Sequence, residues 1–199
     1  MPNSKALLLV VVAVALLVTA TAGTPKPLAK PVYHSVKSKV KAVRTAQLAN
    51  LKKLVVRHRQ AAWAWQSVMF AQRSPTNHDE RRTRSLAYLQ WLVKHWKRRS
   101  VAVMAKAKRP PHLREWLCIH SYEGAWNDPN APYYGGLQMD LDFQRSYGWR
   151  LLYPKGPNGP MVTADRWTPL QQIWVAVKAY RSGRGFYPWP NTARWCGLI

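Results

Sequence analysis

Residues 113–199 carry two glutamates and four aspartates, and one of the glutamates stands out by its setting. Glu115 and Glu123 are eight positions apart, so a single helix sets them about 80° apart around its axis and two turns apart along it. Glu123 directly precedes Gly124, where such a helix would stop, and Tyr122, Trp126, Tyr133 and Tyr134 are close in sequence. A carboxyl at a helix end, walled by aromatic rings, is desolvated and tends to keep its proton. That is what protonating a leaving glycosidic oxygen requires. The competing reading is an ordinary surface glutamate, and position alone favours it. The stretch Tyr133-Tyr134-Gly135-Gly136-Leu137-Gln138 tips the balance. Rings offer faces to sugar C–H surfaces, glycines let a polymer approach the backbone, and the Gln138 amide can both donate and accept.

Those groups need elements to hold them. Arg114 to Tyr122 reads as a short helix with Trp116 and Ile119 inward, followed by a turn-rich loop from Asn127 to Gly136. Met139 to Tyr147 reads as a helix stopped at Gly148. Thr168-Pro169 is an N-cap and first-turn proline for a helix through Tyr180. Upstream, Val36, Val40, Val43, Leu51, Leu54, Trp65 and Met69 recur at helical steps among Lys, Arg and Gln, which predicts an amphipathic helix over 35–72. Asn77 with Glu80 three positions later is a helix start. Leu86, Leu89, Val93, Trp96 and Val103 carry a second helix that Pro110-Pro111 ends. Two such helices predict an antiparallel basic hairpin over 35–109, and the expected fold is mainly α or α+β, with a small domain over 112–199.

Charge separates the two halves. Residues 1–112 hold 22 basic and 2 acidic side chains, residues 113–199 hold 9 and 6, and the whole chain has a net charge of +23. Such an excess favours a polyanionic partner. The first residues narrow the compartment. Lys5, the apolar run Ala6 to Val18 and the small residues Ala20-Thr21-Ala22 predict a cleaved signal peptide over 1–22, followed by a Pro- and Lys-rich linker over 23–34. The apolar run is shorter than the roughly 20 residues a membrane span needs. Export demotes nucleic acid as the polyanion and leaves anionic wall polymers or lipid surfaces. In an exported chain Cys118 and Cys196 read as a disulfide, worth about 4 kcal/mol by loop-closure entropy. The six His are scattered and Cys118-x-His120 has no second pair, so neither a metal site nor a cofactor is expected.

The stretch Trp116-Leu117-Cys118-Ile119-x-x-x-Glu123-Gly124, then Trp126, then Tyr133 to Gln138 resembles the transglycosylase-like domain of the resuscitation-promoting factors, which is lysozyme-related and muralytic. Tyr147-Gly148, Thr168-Pro169-x-x-Gln172 with Ala176, and Gly185-Phe186-Tyr187-Pro188-Trp189-Pro190 before Cys196 extend the resemblance over residues 113–199. It does not reach the basic helices. The resemblance implies a lysozyme-like domain in which Glu123 is catalytic and Trp126, Tyr134, Gly135, Gly136 and Gln138 contact sugar. It also implies a secreted, cell-wall-located enzyme that cleaves the β-1,4 bond from N-acetylmuramic acid to N-acetylglucosamine in peptidoglycan. One departure is plain: the family places Cys directly before Glu, whereas Cys118 precedes Glu123 by five.

A retaining glycosidase needs a second carboxylate roughly 5 Å from the acid and an inverting one at roughly 6.5–9.5 Å. Asp128, Asp140 and Asp142 are the nearby candidates. With none in reach, Glu123 acts alone as acid and then base, and the substrate's 6-hydroxyl closes a 1,6-anhydro ring. Two other classes stay open at this point: a non-catalytic wall-binding or signalling module, and a cationic membrane-active protein.

Overall fold

The computed structural model describes residues 31–199, with side chains from residue 36 onward. The expected leader and most of the expected linker lie outside the described residues. The chain divides into two compact units, Met1–Lys41 and Ala42–Ile199. In the first, the described backbone is helical, with Val36 and Val40 exposed.

The fold is mainly α. Helix α1 (Pro31–Val68) is followed by the short α2 (His78–Arg82) and by α3 (Leu86–Ala107). Helices α4 (Leu113–Glu123), α5 (Leu141–Leu152), α6 (Pro169–Ala179) and α7 (Pro190–Trp195) complete it. Among the described residues the strand-like pairing is a single bridge, Tyr134 to Met139. No described helix is long and apolar enough to cross a membrane.

Helices α1 and α3 do not form an antiparallel hairpin. Val55 and Leu89 share a cluster, Trp63 meets Trp96 edge-on at 6.4 Å, and Met69 shares a core with Val103 and Ala107. Partners on the two helices advance together, so the helices run in the same direction. The connection is what permits it. Ser74 bonds back to Gln66 and to the Trp63 indole, and Glu80 reaches Arg59. The chain thus retraces about two turns of α1 before α3 begins. Asn77 caps α2 by accepting from Glu80 N at 2.8 Å.

The basic helices and the C-terminal segment share a core. Trp116 and Ile119 of α4, Phe143 and Leu152 of α5, and Ile173 to Val177 of α6 pack with Met69 and Ala107. The Trp174 indole N–H donates to Ala107 O at 2.9 Å. The expected division between residues 109 and 112 is therefore not a division of the core.

Helix α5 also departs from expectation. Asp140 caps it by accepting from Phe143 N at 2.7 Å, and it runs through Gly148 to Leu152. A Cβ at Gly148 would lie 2.5 Å from Trp167, so this glycine admits a ring and stops nothing.

Candidate active site

Glu123 is the last residue of α4 and extends the inward stripe of Trp116 and Ile119 by one turn. The helix ends because Gly124 takes an extended conformation, its N–H still reaching His120 O at 3.4 Å. The carboxyl is left half-buried at the edge of the core. Across from it, the buried Thr192 of α7 donates its hydroxyl to Glu123 Oε1 at 2.7 Å. Burial pushes the Glu123 carboxyl above its ordinary range, and the Thr192 bond opposes that in part. Among the described residues no cation forms an ion pair with Glu123.

A second tie joins the same two helices. Cys118 of α4 is disulfide-bonded to Cys196 at the end of α7, with a Cα–Cα distance of 6.1 Å. Going from Cys118 to Glu123 along α4 matches going backward from Cys196 to Thr192 along α7. The five-residue spacing from Cys118 to Glu123 thus sets two fixed points on one antiparallel helix pair.

The loop from Gly124 to Asp140 is braced from within. Asp128 Oδ1 accepts from the Asn130 backbone and side chain, and Oδ2 accepts from Gln138 Nε2 at 2.9 Å. These bonds, the Asn130 backbone one foremost, hold the Asp128 carboxyl below its usual range. Gln138 Nε2 donates its other proton to Gly135 O at 3.0 Å. Gly136 is clamped on both sides: its N–H donates to Gln172 Oε1 at 2.9 Å, and its carbonyl pairs with His120 Nδ1 at 2.9 Å. A carbonyl only accepts, so His120 carries its proton on Nδ1. The His120 ring stacks on Trp126 with centroids 3.8 Å apart. Gln172 is fully buried, and its amide N–H₂ serves the carbonyls of Trp126 and Ala164, both at 2.8 Å.

The expected sugar-contacting residues are mostly occupied within the protein. Gly135 and Gly136 are buried, and a Cβ on either would come within 2.6 Å of Gln172 or His120. The close approach these glycines permit is that of the protein's own side chains. Trp126 and Tyr134 are half-buried against the core, and both protons of the Gln138 amide are engaged. Tyr122, next to Glu123 in sequence, is open and pairs with Trp195, a ring the sequence reading did not single out. Tyr122 and Trp195 are 55% and 65% exposed and meet edge-on at 5.4 Å. Trp195 lies one turn beyond Thr192 on α7. Thr192, His120 and Gln172 were not singled out as site residues either, because their contacts span 69, 16 and 36 positions and no local pattern encodes them.

The three aspartates near Glu123 in sequence have their own tasks. Asp140 caps α5, Asp142 pairs with Arg145 at 2.8 Å, and Asp128 holds the loop. The arrangement offers one carboxyl inclined to keep its proton, a hydroxyl touching it and exposed rings alongside. The chain matches no protein-family profile, no curated protein and no solved structure.

Proposed function

We propose that the chain is an exported bacterial peptidoglycan glycosidase, with a lysozyme-related C-terminal segment and Glu123 as the proton donor. The observation that carries this reading is the half-buried Glu123 carboxyl, raised by burial and free of any cation partner among the described residues. A general acid has to hold its proton until the glycosidic oxygen arrives. When Glu123 is protonated it can donate to Thr192 Oγ1, whose own proton can turn to Trp189 O at 3.4 Å. The hydroxyl therefore serves both protonation states without a change of backbone.

Asp128 is a poor second carboxylate. Its two oxygens already accept three hydrogen bonds, and a lowered proton affinity weakens it as a base. This favours Glu123 acting alone. It protonates the oxygen between N-acetylmuramic acid and N-acetylglucosamine, and the C1–O bond breaks. The muramic 6-hydroxyl then attacks C1 and returns its proton to the Glu123 carboxylate, leaving a 1,6-anhydro end. Water attacking instead would leave a reducing end.

Mass spectrometry of a peptidoglycan digest tests the reading. Glycan fragments ending in 1,6-anhydromuramic acid are expected. Intact glycan strands after incubation with folded protein would leave a non-catalytic wall-binding module in its place. The basic helices support an added affinity for anionic wall polymers, since in residues 36–112 only Asp79 and Glu80 oppose their cations.

A further inference from the structure

Lys52, Val55, Val56 and Arg59 recur at three- and four-residue steps along α1 and so share one face. Together with Glu80 and Arg81 of α2 and Leu89 of α3 they line a cavity of about 200 Å³. Its floor is apolar, because Val55 and Leu89 are buried. Its rim is cationic and badly balanced: Lys52, Arg59 and Arg81 face the single carboxylate of Glu80. That carboxylate is already shared. Glu80 Oε2 accepts from the Trp96 indole at 3.2 Å and stands 3.6 Å from Arg59 Nη1, too far for a good hydrogen bond.

Arg59 is left short of partners. Its side chain is 15% exposed, and its buried Nε–H meets no acceptor among the described residues. Trp63 lies 5.1 Å from the guanidinium carbon, which stabilises the charge but accepts no in-line hydrogen bond from Nε. Arg81 uses one nitrogen on Thr76 Oγ1, and Lys52 has no carboxylate partner among the described residues. A buried, unpaired guanidinium donor is a costly group to leave as it is.

We infer that this cavity is a phosphate-binding site, in which Arg59 presents its fork and Lys52 and Arg81 supply charge from the rim. The group retains two uncompensated positive charges, and a phosphate carries about −1.5 to −2 at neutral pH. The planar guanidinium matches phosphate oxygens better than a point charge does. The volume is several times the roughly 30 Å³ share of one water, so a phosphate group fits. The site lies on the three helices of the basic half, and the inference does not depend on the glycosidase reading.

Calorimetric titration of the full chain tests it, with inorganic phosphate in one arm and glycerophosphoglycerol in the other, ionic strength held constant with chloride. Saturable binding near one equivalent is expected. Binding of the diester as well assigns the site to a polymer's phosphates, and phosphate alone assigns it to free or terminal groups. The Lys52→Ala/Arg81→Ala double variant, altered only at exposed positions, should weaken binding by about tenfold or more. Lys94→Ala/Arg98→Ala removes the same charge from the exposed face of α3 and should change it less than about twofold. Heat that follows ionic strength without saturating, or equal losses in the two variants, would overturn the site.

Discussion

The Thr192 hydroxyl meets Glu123 Oε1 at 2.7 Å across 69 positions of sequence. The Thr192 bond is the one interaction that pulls the Glu123 carboxyl back toward its ordinary range. Replacing Thr192 by the isosteric Val removes it and leaves burial in place. The proton affinity of Glu123 should then rise further, and the high-pH limb of any pH–rate profile should move upward. Activity should fall by roughly tenfold, the worth of one hydrogen bond to a charged group. An unchanged profile would mean that the hydroxyl does not act on the carboxyl.

A second consequence concerns stability. Because the folded-state proton affinity of Glu123 is raised, the native state holds more protons than the unfolded one as pH climbs through the carboxyl range. Stability contributed by this group is therefore full at low pH and lost as pH rises past the folded value. Glu123→Gln removes that loss while keeping an oxygen for Thr192. Thermal melts should show the variant more stable than the parent at pH 7, with the gain vanishing near pH 3. A variant less stable at both would contradict the burial argument.

Gln172 fixes the loop that follows Glu123. Gln172→Met keeps much of the volume but strands Gly136 N–H and the carbonyls of Trp126 and Ala164. Denaturant unfolding should reveal a loss of about 2–4 kcal/mol. A loss below about 0.5 kcal/mol would show that water replaces the amide without cost.

The shared core makes a prediction about truncation. A fragment beginning at His112 lacks Met69, Ala107 and the carbonyl that takes the Trp174 indole proton. One stranded indole alone costs about 1–3 kcal/mol. The fragment should melt well below the full chain in the same buffer. Equal melting temperatures would mean that the basic helices add nothing to the core.

Local signals were readable from sequence, and long-range ones were not. The Thr168-Pro169 start of α6 and the Asn77 cap of α2 are set within one turn, so residue type alone gives them. The direction of α3 depends on how residues 69–85 retrace α1, which no local pattern encodes. Gly148 read as a stop because glycine lowers helix propensity, yet its role is to admit Trp167, a partner 19 positions on. Glu123 was legible through Gly124 and its aromatic neighbours. Its partner Thr192 was not, because the contact forms only after α7 folds back along α4. The Cys118–Cys196 pairing was legible, since two cysteines allow a single pairing.

Initial rates of glycan release from purified peptidoglycan test whether Glu123 is the proton donor. Wild type and Glu123→Gln should be compared at equal concentration, with circular dichroism establishing that both are folded. The substitution keeps the shape and the Thr192 contact but removes the transferable proton. Release should fall by about two orders of magnitude or more, the usual worth of a general acid. Near-normal release from the folded variant would contradict the assignment.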